Sequence, residues 1–164
     1  MAIKVSIVED SEAVRTTLSR VIARAEGLQC VSVYSNAEAA VEGLPGDAPD
    51  VVLMDINLPG MNGVECVRRL KQAAPTVQVI MLTVYEDTDN IFNALAAGAS
   101  GYLLKRTPRD ELLAAIKDVM QGGSPMTTHI ARKVVQSFQR TAPVAQPTEN
   151  LSEREQQVLD GQVR

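Results

Sequence analysis

A doubly wound α/β domain is what the order of residues predicts, and three observations carry that prediction. Short apolar runs alternate with segments of helical period from Ile3 to about Gln121. Three of the runs are almost unbroken stretches of Val, Ile and Leu, as strands covered on both faces require. Five strand–helix repeats build a parallel sheet with right-handed crossovers and helices on both sides. Units of this size suit the flavodoxin-like order 2-1-3-4-5. Such a sheet places its site beyond the carboxyl ends of the strands, where the first and third lie side by side.

The elements follow in order. Ile3–Val8 is the first strand and Glu12–Ala25 its helix, in which Val14, Leu18, Val21, Ile22 and Ala25 recur at three- and four-residue steps to form one apolar stripe. Leu28–Tyr34 and Ala37–Leu44 make the second pair, Asp50–Asp55 and Gly63–Ala73 the third, and Val77–Thr83 and Thr88–Ala97 the fourth. The fifth strand is Gly101–Lys105. Its helix, Pro108–Gln121, starts at a proline suited to a first turn and stops at Gly122-Gly123. These elements fill residues 1–123, and residues 124–150 read as a connector. Within it Thr127–Gln139 forms a short amphipathic helix with Ile130, Val134, Val135 and Phe138 on one side; Arg140–Asn150, polar and holding two prolines, is the linker proper. Ser152 and Glu155 then form a capping box that opens another helix over Leu151–Arg164.

Composition excludes several classes of function. The 164 residues are 45% hydrophobic and 22% charged with a net charge of −4, an ordinary globular balance. No apolar run reaches the ~18 residues of a membrane span, and acids interrupt the start before any signal-like stretch. Cys30 and Cys66 fall on separate elements and make no disulfide framework, and the single histidine, His129, argues against a His-based metal site. A reducing cytoplasm is the expected setting. Residues 1–126 carry 11 Lys+Arg against 16 Asp+Glu, whereas residues 127–164 carry 5 against 4. So acidic a body is a poor nucleic-acid binder, and any service to DNA needs an appended domain. Both cysteines are expected to be small core residues, His129 to be solvated, and Arg68, Arg69 and Lys71 to line a solvent-facing helix side.

The chemistry collects at the strand ends: Glu9-Asp10 after the first, Asp55 at the third, Thr83 at the fourth and Lys105 at the fifth. Any one of them alone reads as a solvated loop residue. Their convergence on one edge of the sheet is the signal. Three close carboxylates repel unless a cation sits among them. Hard oxygen donors that leave room for water and a phosphate suit Mg²⁺.

Val8-Glu9-Asp10, the run Leu53–Gly63 with Asp55 and Pro59-Gly60, Met81-Leu82-Thr83 and Gly101-Tyr102-Leu103-Leu104-Lys105 together resemble the receiver domain of two-component response regulators. The resemblance covers Ile3 to about Gln121 in order. It implies that Asp55 is the phospho-acceptor, taking a phosphoryl group from a phosphohistidine of a sensor histidine kinase as an acyl phosphate. It implies that Glu9, Asp10, Asp55 and the backbone carbonyl of Asn57 hold Mg²⁺, with Thr83 and Lys105 meeting the phosphoryl oxygens. Tyr102 is then a switch aromatic coupled to Thr83, and Asn57 and Tyr85 border the path of the hydrolytic water and tune the phosphoryl lifetime. The physics suits these roles, since phosphoryl transfer is catalysed chiefly by positioning and by cations. A half-buried Tyr filling a gap would also account for Tyr102, and a plain βα turn for Pro59, Gly60 and Gly63.

Leu151–Leu159 resembles the first helix of the LuxR-type helix-turn-helix domain of the NarL/FixJ group, and the junction Gly122–Met126 with Ile130–Lys133 is similar to that group's as well. The resemblance implies a transcription regulator that reaches DNA through a C-terminal domain whose recognition helix lies past Arg164, with a homodimer through receiver or linker left open. Two other classes compete with this one: a stand-alone signalling adaptor, against which the 151–164 segment speaks, and a small Mg²⁺-dependent phosphotransferase or phosphatase. No second general acid or base near Asp55 and no evident substrate pocket support the latter, so a switch rather than a turnover enzyme is expected.

Overall fold

The computed structural model describes residues 2–141. One parallel sheet runs in the order β2-β1-β3-β4-β5, with β1 at Ile3–Val8, β2 at Leu28–Tyr34, β3 at Val51–Met54, β4 at Gln78–Thr83 and β5 at Gly101–Leu104. Helices α1 (Glu12–Arg24), α2 (Ala37–Asp47), α3 (Gly63–Ala73) and α4 (Thr88–Ala97) connect successive strands, and α5 (Arg109–Met120) and α6 (Thr128–Thr141) follow β5. The expected order is the observed one.

Two apolar layers explain why the strands read as unbroken hydrophobic runs. Val5, Ile7, Leu53, Ile80, Leu82 and Leu103 pack with Ile22 of α1 and with Leu112, Ile116 and Val119 of α5. The alternate positions Val52, Met54, Val79 and Met81 point to the opposite face and are buried just as fully. There α3 packs between α2 and α4. Each of the first four helices starts on a side chain that takes the amide hydrogen three residues on: Ser11, Asn36, Asn62 and Asp87. These caps fix where the connecting loops end, and three of those loops carry the site.

Several boundaries differ from the sequence reading. Asp55 and Lys105 stand one residue past β3 and β5, although their N–H groups still donate to Val8 O at 3.1 Å and Thr83 O at 2.9 Å. Helix α2 continues past Leu44 through Pro45 and ends at Ala48, whose φ of 50° turns the chain left-handed. Pro45 gives no N–H to the carbonyl four residues back, so the helix goes on without that bond for its last turn. Pro108 caps α5 rather than opening it. Helix α6 runs to Thr141, so Arg140 is helical and not linker. The rest of the expected linker, residues 142–150, and the helix expected over residues 151–164 lie outside the described residues.

The outer edge of β5 is covered by its own downstream chain. The Tyr102 N–H donates to Pro125 O at 2.9 Å, Thr127 N–H returns to Tyr102 O at 3.2 Å, and Tyr102 and Met126 form a parallel bridge. Leu104 N–H donates to Thr127 Oγ1 at 3.0 Å. Gly101 permits this approach, since a Cβ there would lie 2.6 Å from the Pro125 carbonyl oxygen. The compact unit that holds the sheet therefore reaches Ile130, and the rest of α6 belongs to a second unit.

Candidate functional site

β1, β3 and β5 deliver their first post-strand residues, and β4 its last, to one edge of the sheet. Glu9 and Asp55 are buried there, 2% and 5% exposed, and Asp10 is open to solvent. Lys105 Nζ bridges the buried pair, 2.6 Å from Glu9 Oε1 and 3.0 Å from Asp55 Oδ2. The other Asp55 oxygen accepts the Ile56 N–H at 2.8 Å, and the other Glu9 oxygen accepts the Ser11 N–H at 3.0 Å. Burial pushes Glu9 above the ordinary carboxylate range, against the opposing pull of the hydrogen bonds from Lys105 and Ser11. Burial likewise works against the Lys105 charge, but hydrogen bonds to Glu9 and Asp55 outweigh it and hold the ammonium above the ordinary lysine range.

Carboxylate oxygens of Glu9, Asp10 and Asp55 all lie within 4.8 Å of one another. Three hard oxygen donors this close, one of them facing water, fit a small hard dication that keeps part of its hydration. Gly63 holds the Asp55 backbone in place. Its N–H donates to Ile56 O at 2.8 Å, and a Cβ at that position would lie 2.0 Å from the Asp55 carbonyl oxygen. Only a glycine lets the chain double back this closely.

Thr83 is fully buried at the end of β4. Its Oγ1 lies 3.4 Å from the Tyr85 N–H, and the Tyr85 carbonyl accepts the Tyr102 hydroxyl at 2.9 Å. Tyr102 is fully buried, and burial, with the charges of Asp87 and Asp55, raises its phenol above the usual range. Thr83, Tyr85 and Tyr102 thus form a connected series. Tyr85 is half-buried, and Asn57 is exposed in the loop between β3 and α3.

Two polar residues depart from expectation. His129 is not simply solvated: its Nε2 lies 2.8 Å from Glu86 Oε1, and Arg106 meets the other Glu86 oxygen at 3.2 Å. Lys71 does not point freely to solvent, because its Nζ donates to Pro75 O at 2.8 Å and Val77 O at 2.7 Å, and burial lowers its pKa. Arg68 and Arg69 do lie on an exposed side, both paired with Glu65. Cys66 is buried and Cys30 half-buried. The sequence reading passed over Arg15, whose Nη1 donates to Glu9 O at 2.8 Å and Asp10 O at 3.1 Å. An arginine one turn into the helix after an acidic pair was the available signal.

Comparison with known proteins matches residues 5–117 to the response regulator receiver domain. The chain is 36% identical over 138 residues to the transcriptional regulatory protein DegU of Brevibacillus brevis, covering 84% of this chain but 58% of that protein, so it spans little more than half of that relative's length. It is 36% identical over 157 residues to the response regulator GacA of Pseudomonas aeruginosa, covering 95% of this chain and 73% of that protein. Among solved structures, a two-component response regulator of the LuxR family from Aurantimonas sp. SI85-9A1 is similar with a TM-score of 0.79 and 29% identity, covering 84% of this chain and 98% of the other. Among the described residues no helix is long and apolar enough to cross a membrane.

Proposed function

The chain belongs to the response regulator receiver family, and on that footing we propose that it is the phosphorylated switch of a cytoplasmic two-component relay. Asp55 is the acceptor. The observation that carries this reading is the Lys105 ammonium shared between Asp55 and Glu9, with the Asp10 carboxylate beside them.

An Asp55 carboxylate oxygen attacks the phosphorus of a phosphohistidine on a sensor histidine kinase. The P–O bond to Asp55 forms as the P–N bond breaks, and the imidazole leaves. Glu9, Asp10, Asp55 and the Asn57 carbonyl would hold Mg²⁺, which supplies positive charge for the phosphoryl oxygens. Lys105, 3.0 Å from the acceptor, supplies a second cation. The Ile56 N–H, bonded to Asp55 Oδ1, fixes the carboxylate for attack. Thr83 turns its hydroxyl to the bound phosphoryl group, and that pull passes through Tyr85 to Tyr102. Asn57 and Tyr85 border the path of the water that ends the signal. The chain acts as a switch and not as a turnover enzyme.

In this reading residues 1–123 are the receiver, residues 124–150 the connector, and residues 151–164 the start of a LuxR-type helix-turn-helix domain. DNA is the target of that domain, and a homodimer is the form that would engage it. The names of the DegU and GacA relatives support a regulatory role, and the LuxR-family structure supports this output class. Incubation with a small acyl phosphate donor and Mg²⁺ should label the wild-type chain and leave Asp55→Ala unlabelled. Equal labelling of the mutant would remove the assignment.

A further inference from the structure

From the contacts of the β1–α1 loop we infer that Arg15 is a positioning residue for the metal site, acting through Asp10; this rests on the receiver reading above. The three carboxylates are not held alike. Glu9 is fixed at both oxygens, by Lys105 and by the Ser11 N–H, and Asp55 at both, by Lys105 and by the Ile56 N–H. Among the described residues the Asp10 carboxylate accepts no hydrogen bond, and it stands in solvent. What is fixed at Asp10 is its backbone. One guanidinium nitrogen of Arg15 takes two consecutive carbonyls, Glu9 O at 2.8 Å and Asp10 O at 3.1 Å. Two successive carbonyl oxygens converging on one donor orient both peptide planes that flank the Asp10 Cα. Those planes set the direction in which the Asp10 side chain leaves the chain.

Arg15 is itself anchored. It sits in the first turn of α1, its own N–H donates to Ser11 O at 2.9 Å, and Ser11 caps the helix through the Val14 N–H. The least constrained carboxylate is therefore registered to the helix by one nitrogen of a planar, permanently charged guanidinium whose N–H directions are fixed, a task a lysine's freely rotating ammonium performs less well. Outer groups that orient metal ligands typically govern affinity by about 10- to 100-fold.

Charge and positioning predict opposite signs, which makes the inference testable. Removing a cation near a dication site should by Coulomb's law tighten Mg²⁺ binding. Removing a clamp should loosen it. Titration of the full chain with Mg²⁺ alone, followed by the amide NMR signals of Glu9, Asp10 and Ser11, should show Arg15→Met binding roughly tenfold more weakly than wild type, with Arg15→Lys in between. Arg20→Met removes an exposed cation from the same helix without touching the loop, and should bind no more weakly than wild type. In an Asp10→Asn background the Arg15→Met loss should shrink to less than about twofold, since the two residues act as one unit. Unchanged or tighter binding by Arg15→Met, an equal loss in Arg20→Met, or additive losses with Asp10→Asn would each overturn the inference. If the wild-type chain takes no Mg²⁺ at millimolar concentration, the metal-site reading itself falls, and this inference with it.

Discussion

At the scale of single residues, burial decides which groups carry charge. Cys66 lies on α3 with its Sγ against the Ala37 carbonyl, and burial, reinforced by the Glu38 charge, pushes its thiol up to about 12. An unfolded thiol titrates near ~8.5. The folded pKa is the raised one, so the contribution of Cys66 to stability is whole below about 8.5 and is lost as the pH climbs toward 12. Urea unfolding of wild type and Cys66→Ala should therefore converge with rising pH, the wild type losing roughly 2 kcal/mol of its advantage between pH 7 and 10. A difference that stays constant over that range would mean that the thiol is not sequestered. Lys105 shows the converse balance, because the two carboxylates it bridges restore the charge that burial opposes. The pairing was hidden from the sequence reading, which placed Lys105 opposite the acids without showing which oxygens it would choose. Hydrogen bonds are directional, and their partners depend on how four separate loops close.

At the scale of elements, the edge of β5 matters most. An edge strand exposes unpaired N–H and C=O groups, and here Pro125 and Thr127 satisfy three of them on Tyr102 and Leu104. Thr127→Val keeps the shape of the side chain but leaves the Leu104 N–H without its acceptor. The expected loss is about 1–3 kcal/mol, with the Leu104 amide exchanging its hydrogen faster than in wild type. Undiminished protection of that amide would show that Thr127 does not hold the edge. The five strands and their helices were legible because burial leaves a local trace: nearly continuous apolar runs for strands covered twice, and three- and four-residue steps for helices covered once. The return of residues 125–127 to the sheet left no such trace. It uses backbone groups, one hydroxyl and a missing Cβ at Gly101, none of which alters a hydrophobic pattern.

At the scale of the whole molecule, the connected series from Thr83 through Tyr85 to Tyr102 ends on the strand that carries the downstream chain. On the proposed reading, a phosphoryl group on Asp55 would shift the domain between two states only by interacting better with one of them. The Tyr102 hydroxyl is one contact through which that preference would be expressed. Tyr102→Phe should accept phosphate from a small donor as readily as wild type. Phosphorylation should then change hydrogen exchange at residues 84–88 less than it does in wild type. An equal change in both proteins would remove the hydroxyl from the switch. Beyond it, Glu86 joins Arg106 and His129, so the loop after β4, the loop after β5 and the first turn of α6 meet at one carboxylate. Exposed pairs of this kind contribute about 0–1 kcal/mol, enough to bias a balanced equilibrium without locking it.

The order of residues alone dictated the alternation of elements, because periodicity is written along the chain. The order of strands, and with it the edge where Glu9, Asp10, Asp55, Thr83 and Lys105 would gather, came from the flavodoxin-like arrangement that five such units suit and that the receiver resemblance implies; the handedness of crossovers does not single it out. The folded molecule alone decided that Lys105 would neutralise two carboxylates at once, that Arg15 would grip the loop of the third, and that the chain after α5 would return to seal β5. Those contacts join residues distant along the chain through bonds of fixed length and direction, and no pattern of apolar and polar residues encodes a bond angle.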